Sequence, residues 1–306
     1  MDMVKKIPLL LDTDIGSDID DAACLAYLLH QPQCELLGIT TVSGESVHRA
    51  MLADAVCQAV GRRDIPIHPG CEQPLLVEQK QKAAPQKEVL GRWSHRQRFE
   101  PGSAVRFLRD TIRSRPGEIT LLAIGPLTNI GLLFRLDPEI PRLLKSLVLM
   151  GGAFSFPLGC MRLPVEWNMM LDPHAASIVY AAEGLHITAV GLDVTTQCVL
   201  PADVCRNQLR GGVLDLVREA AEVWFKVRPE ITFHDPLAAV GIFHPELMQY
   251  DVGRVTIELV SEPLAGMTLL DSSCETKTHR VARTVDVDGF FREYFGIVGG
   301  RLNCDK

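Results

Sequence analysis

Short, nearly unbroken apolar runs that alternate with helical patterns constrain this 306-residue chain more than any other feature. IPLLLDT (Ile7 to Thr13) is followed by DDAACLAYLLH (Asp20 to His30), and ELLGITTV (Glu35 to Val42) by a helical stretch from Val47 to Val60. IPIH, EITLLAIG, SLVLMGG and HITAVGLD supply further strands, again separated by helical segments. A strand that is apolar on both faces must be covered on both, and successive parallel strands need crossover helices. The pattern predicts an α/β fold, one domain over residues 1–306 with a mainly parallel central sheet flanked by helices. Two later strand-like runs, Val252 to Val260 and His279 to Val285, follow a helical C-terminal third, and no repeat or linker divides the chain. Functional groups of such sheets gather on the loops at the carboxyl ends of the strands. Four polar clusters lie there: DTDIGSDIDD, TTVSGES, AIGPLTN and LMGGAF.

Composition narrows the function classes. Hydrophobic residues make up 47 %, and 31 Lys and Arg against 38 Asp and Glu leave a net charge of −7. That balance suits a folded protein and argues against nucleic-acid or anionic-membrane partners. Asp12 and Asp14 interrupt the first apolar run, no cleavage site follows, and no uncharged stretch approaches the ~20 residues that span a bilayer. The nine cysteines are scattered without a CxxC pair, as suits reduced thiols. The expectation is a soluble, cytoplasmic protein.

The most informative stretch is LLLDTDIGSDIDDAA, which holds Asp12, Asp14, Asp18, Asp20 and Asp21 between a strand and a helix. Carboxylates so crowded repel one another unless a cation, hydrogen-bond donors or helix amides compensate. Hard oxygen ligands suit Ca²⁺ or Mg²⁺ better than zinc. Capping of the helix by Asp20 and Asp21 is the simpler reading, but a cap needs only one or two of the five. Gly16 suits a tight turn. A DxD after an apolar strand also opens haloacid-dehalogenase-type phosphatases, with Asp12 as nucleophile and Mg²⁺ as metal. That pattern wants Thr or Val where this chain has Gly16. The spacing does not fit an EF-hand loop either.

DTDIGSDIDDAA resembles the opening DxDxGxDD-A of the nucleoside hydrolase family (inosine-uridine preferring type), with two extra residues. The likeness continues in order: TTVSGE resembles the family's TTVxGN, AIGPLTNI its GPLTN, LVLMGGAF its MGG turn, VEWNMMLDPHAA its AEFNxxxDPEAA and FHDPLAAV its HDPLA. The resemblance implies a hydrolase of the N-glycosidic bond of ribonucleosides, with Ca²⁺ held by Asp14, Asp21, the Thr128 carbonyl and Asp235. It implies Asp14 as the base that activates water, and His234 as the group that protonates the departing base. Asp20, Glu166 and Asn168 match positions that bind the ribose hydroxyls. Such a reaction passes through an oxocarbenium-like state, so water, sugar and leaving base each need a partner. An unperturbed imidazole near pH ~6.5 suits acid work. The i, i+2 spacing of Glu166 and Asn168 predicts one shared direction in an extended segment.

Two positions depart from the family. Glu45 stands where TTVxGN ends in Asn, and Cys160 where another ribose-binding Asn belongs. An added carboxylate or a thiol cannot reproduce an amide's two-way hydrogen bonding, which leaves the sugar pocket and the choice of substrate open. Residues 71–100, polar, aperiodic and containing GRWSHRQRF, lie where the family places a flap, so Trp93 and His95 are candidate contacts to a base. Arg92, Arg96 and Arg98 read as solvated charge, and Trp224 and Phe225 as core. The family also implies a homodimer or homotetramer. The readings that compete with a nucleoside hydrolase are the Mg²⁺-dependent phosphatase and a non-catalytic ribose- or calcium-binding protein.

Overall fold

Hydrophobic alternation sorts this chain into two cores on either side of one sheet. The computed structural model describes residues 6–155 and 165–299. The first part contains β1 (Ile7–Thr13), α1 (Asp20–His30), β2 (Cys34–Thr41), α2 (Ser46–Ala59), β3 (Ile67–Pro69), α3 (Ala104–Ser114), β4 (Thr120–Ala123), α4 (Thr128–Leu136), α5 (Ile140–Leu143) and β5 (Ser146–Met150). Then follow α6 (Trp167–Leu171), α7 (Pro173–Tyr180), β6 (Ile187–Val190), α8 (Leu192–Thr195), β7 (Val199–Pro201), α9 (Ala202–Gln208), α10 (Val213–Trp224) and β8 (Glu230–Thr232). The chain closes with α11 (His234–Phe243), β9 (Met248–Ile257), β10 (Thr268–Asp271), β11 (His279–Val285) and α12 (Val287–Val298).

Nine strands form the sheet, in the order β10-β9-β11-β6-β5-β4-β1-β2-β3. Every pair from β11 to β3 is parallel, and β9 and β10 add an antiparallel edge. The expected α/β architecture is the observed one, a single domain built on a mainly parallel sheet. β9 begins at Met248 and ends at Ile257, earlier than the run 252–260 suggested. The short edge strand β10 was not anticipated, because half of its residues face solvent and its apolar signal is weak. Along β1, Leu9 and Leu11 pack with α1, α2, α10, α11 and α12, while Leu10 packs with α3, α4 and α7. Each such fully buried leucine contributes about 1.5–3 kcal/mol by leaving water.

The order of the strands places the functional crevice. From β1 the chain moves outward to β2 and β3, then crosses to β4 on the other flank of β1. The loops after β1 and β4 therefore run in opposite directions and leave a cleft beyond their carboxyl ends. A two-stranded ribbon, β7 with β8, leads into α11. Phe233, the residue before α11, packs edge-on against Phe290, Phe291, Tyr294 and Phe295 of α12. That aromatic anchor sets where the HDP tripeptide enters the cleft.

Candidate active site

The loop after β1 is built around Gly16 and a buried arginine. Gly16 has φ of +115°, and a Cβ there would stand 2.6 Å from Leu52 Cδ1 and 3.0 Å from Ala84 Cβ. No other residue fits that turn. Arg49, from α2, is fully buried. Its guanidinium donates to the carbonyls of Asp14, Ile15 (3.2 Å), Gly44 (2.8 Å) and Ala83 (3.2 Å) and to Ser17 Oγ (3.0 Å). It thereby ties the acidic loop, the β2–α2 turn and the 71–100 excursion to one point, and its charge opposes the carboxylates beside it.

Asp20 and Asp21 lie in the first turn of α1, and Asp235 in the first turn of α11. All three are buried, and each places a carboxylate oxygen within 4.8 Å of the others. Residues more than 200 positions apart thus share one site. Asp20 Oδ2 accepts the Asp235 backbone N–H at 3.0 Å, and Asp21 Oδ1 accepts Thr13 Oγ1 at 2.5 Å. Two helix N-termini point their positive ends at the cluster. Even so, burial first and mutual repulsion second push Asp20, Asp21 and Asp235 well above the usual carboxylate range. Burial likewise raises Asp14, with Arg49 and Gln81 opposing it, and takes Asp18 to about 7. Five carboxylates with one guanidinium beside them keep an excess of negative charge and form a donor set fit for a hard divalent cation. Simple helix capping does not describe them: the residue before α1 is Ile19, and the residue before α11 is Phe233 rather than Asp235.

The cluster floors a cavity of about 550 Å³, within the usual range for small-molecule sites. Asp14, Asp20, Asp21, Glu166, Asn168, His234 and Asp235 all line it. Glu166 is the N-cap of α6 and accepts the backbone N–H groups of Asn168 (2.8 Å), Met169 (3.0 Å) and Gly152 (3.1 Å). Asn168 lies inside the first turn of that helix and donates to the Ile124 (3.0 Å) and Met150 carbonyls (3.2 Å). The two side chains share the cavity through a capped helix, so the extended-segment expectation is corrected. His234 Nδ1 pairs with Thr195 Oγ1 at 2.7 Å, and burial lowers its pKa to about 4. The imidazole is accordingly neutral at pH 7, which corrects the expectation of a near-neutral pKa.

Other expected residues lie elsewhere. Thr128 opens α4, its hydroxyl donates to Asp172 Oδ2 at 2.7 Å, and it does not line the cavity. The wall residue from that segment is Ile124, because the chain turns away at Gly125 before the helix begins. Glu45 is also outside the lining: its carboxylate accepts the Ala84 N–H at 2.8 Å and pairs with Lys87. Cys160 falls outside the described residues. Trp93 donates to Glu219 Oε2 at 3.1 Å, and His95 bonds the Trp93 carbonyl, so neither reaches the cavity. Arg92, Arg96 and Arg98 are exposed, as expected of solvated charge; Arg96 pairs with Asp54 and Arg92 with Glu219, away from the cavity. Asp12 is fully buried, accepting from Thr40 Oγ1 (2.5 Å) and Asn129 Nδ2 (2.7 Å), with no opening for a substrate.

Several lining residues were missed. Gln81 comes from the excursion, donates from Nε2 to Asp14 Oδ2 at 2.5 Å and accepts from Trp167 Nε1 at 2.8 Å. Nothing in its aperiodic polar tract distinguishes it from neighbouring Gln and Lys. Trp224, expected in the core, and Arg228 both line the cavity. Arg228 lies four residues beyond the end of α10 at Trp224, so helical periodicity could not have paired them.

The comparisons agree with this geometry. Residues 9–292 match the family described as inosine-uridine preferring nucleoside hydrolase. This chain belongs to that family. Among curated relatives, uridine nucleosidase 1 of Arabidopsis thaliana is 32 % identical, covering 92 % of this chain and 90 % of that protein. The non-specific ribonucleoside hydrolase RihC of Salmonella typhi is 34 % identical, covering 94 % and 96 %. Among solved structures, the plant nucleoside hydrolase PpNRh1 superposes with a TM-score of 0.82 at 25 % identity, covering 96 % of this chain and 99 % of that one. A purine-preferring ribonucleoside hydrolase from Gardnerella vaginalis gives a TM-score of 0.79 at 26 % identity, covering 95 % and 98 %. As a nucleoside hydrolase the chain is an N-glycosidic hydrolase, and the cavity at the carboxyl ends of its strands is the candidate place for that reaction.

Proposed function

We propose that this nucleoside hydrolase is calcium-dependent and cleaves ribonucleosides to free base and ribose, with its chemistry carried out among Asp14, the Asp20, Asp21 and Asp235 cluster, Glu166, Asn168 and His234. The observation that carries the reading is the meeting of three buried carboxylates from opposite ends of the chain at the floor of a nucleoside-sized cavity. An all-oxygen donor set favours a hard cation, and calcium is the ion the family resemblance implies. When bound, such a cation orients a water and lowers its pKa.

The protein's own groups divide the remaining work. Asp14 Oδ2 is engaged by Gln81, which leaves Oδ1 to receive the proton of the attacking water. Gly125 keeps room beside that oxygen, since a Cβ there would stand 2.8 Å from it. Glu166 is fixed by three backbone donors and keeps acceptor capacity for a ribose hydroxyl, because an ionised carboxylate offers about four acceptor sites. Asn168 lines the cavity and spends its amide N–H groups on two carbonyls, so what it has left to offer a ribose hydroxyl is its acceptor oxygen. Rigid placement of this kind favours the flattened sugar of the transition state over the ground state. His234 is positioned to donate a hydrogen bond to the departing base from Nε2 while Nδ1 is held by Thr195.

The test is reducing-sugar release from uridine, cytidine, inosine, adenosine and nicotinamide riboside, with calcium and with a chelator. Release from at least one nucleoside, abolished by chelation and by Asp14→Ala, is the expected result. Absence of release from all of them with calcium present overturns the reading.

A further inference from the structure

The amide that the family resemblance assigns to the sugar is missing at position 45, yet the cavity contains an amide from another part of the chain. Glu45 cannot turn toward a substrate without giving up the Ala84 N–H and Lys87, and its backbone is already left-handed at φ of 61°. Those same contacts hold the excursion against the β2–α2 turn. Three residues before Ala84, the excursion is stapled again: the Gln81 carbonyl accepts from Gly44 N (3.2 Å) and Ser43 Oγ (3.3 Å), and its N–H donates to Gln79 Oε1 (2.7 Å). The backbone of Gln81 is therefore fixed before any ligand arrives, and the residue is 9 % exposed.

Its side chain is oriented as firmly. An indole N–H can only donate, so the atom 2.8 Å from Trp167 Nε1 is the amide oxygen, and the nitrogen faces Asp14 Oδ2 at 2.5 Å. A primary amide carries two N–H donors and two lone pairs. One of each is spent on Asp14 and Trp167, and among the described residues the other donor and the other lone pair have no partner. A donor and an acceptor side by side on one planar group complement a sugar hydroxyl, which both accepts and donates.

We propose that Gln81 is a substrate-binding residue that grips a ribose hydroxyl, taking the place of the amide absent at position 45. The inference rests on the ribonucleoside hydrolase reading and adds to it the origin of sugar recognition in the excursion. It also gives Trp167 a role: the indole forms the outer wall and fixes which way the amide faces.

The experiment compares wild type with Gln81→Met on uridine, 2′-deoxyuridine and 3′-deoxyuridine, or on the inosine series if inosine is turned over faster. Loss of one hydroxyl contact predicts a fall in kcat/KM of about 10- to 100-fold on the ribonucleoside. On the deoxy substrate that lacks the gripped hydroxyl, the fall is expected to be under about threefold, because that contact is already gone. Trp167→Phe keeps the wall and removes the orienting donor, with an expected fall of about three- to tenfold and the same selectivity. Equal falls on all three substrates, or no fall on any, overturn the proposal. If wild type releases sugar from no nucleoside, the functional reading fails separately. Calorimetric binding of D-ribose to wild type and Gln81→Met then tests Gln81 alone: weaker binding by the variant supports its role, and equal affinity overturns it.

Discussion

Arg49→Met removes a cation from a place where water cannot replace it. The side chain is fully buried and serves five acceptors, four of them backbone carbonyls in three different loops. Methionine fills most of the volume, so the cost is chiefly electrostatic: stranded carbonyls, and an acidic cluster without its internal counter-charge. Removing one partner from a buried charged arrangement costs about 3–5 kcal/mol. At ~2.1 cal/mol/K per residue, the unfolding entropy of the 306-residue chain is about 0.6 kcal/mol/K. The expected fall in Tm is therefore about 5–8 °C. Arg49→Lys keeps the charge but has three donors and no planar fork, so it should fall between the two. Differential scanning fluorimetry at pH 7.5 on the three proteins measures this directly. A Tm for Arg49→Met within about 1 °C of wild type would refute the argument, since no compensating contact exists among the described residues to absorb the loss.

Two further predictions concern buried groups away from the cavity. His279 is buried with Nδ1 accepting the Val255 N–H at 2.8 Å, and burial lowers its pKa to about 4. The unfolded chain binds that proton near pH ~6.5 and the folded chain near 4, so stability is present above 6.5 and is lost as pH falls toward 4. The loss amounts to about 3 kcal/mol by linkage, and urea unfolding of His279→Leu should show a flatter dependence over that window than wild type. Asp12→Asn should cost about 1–3 kcal/mol, because Asp12 is a buried hydrogen-bonding hub for Thr40 and Asn129. Sugar release by that variant should stay within about tenfold of wild type if Asp12 is a structural hub rather than a reacting group; complete loss with the fold intact would refute that role.

The acidic loop was legible in the sequence because its chemistry is local, and the HDP tripeptide because FHDPLAAV resembles the family's motif. Crowded carboxylates demand compensation wherever they fold, and the apolar runs before and after them say which ends of which strands they occupy. Glu166 and Asn168 were legible as residues but not as geometry. Their reading as an extended pair failed because Glu166 caps a helix and so bends the chain between them. Thr128 failed for a related reason: a segment can line a wall with one residue and leave it three residues later, which order along the chain does not reveal. Glu45 looked like an intruder in the sugar pocket, whereas a lysine 42 positions away turns it outward.

Strand periodicity alone determined that this chain builds a covered parallel sheet, and charge density alone determined that its first loop must meet a counter-charge. Both follow from neighbours in sequence, where solvation and repulsion act whatever the rest of the molecule does. Only the tertiary structure decided that Asp235 completes the cluster geometrically, that Arg49 lies beneath it, and that Gln81 instead of Trp93 or His95 enters the cavity from the excursion. Those outcomes depend on which distant backbones are brought within a hydrogen bond of each other. In an aperiodic segment no local preference encodes that, and packing against the finished sheet settles it.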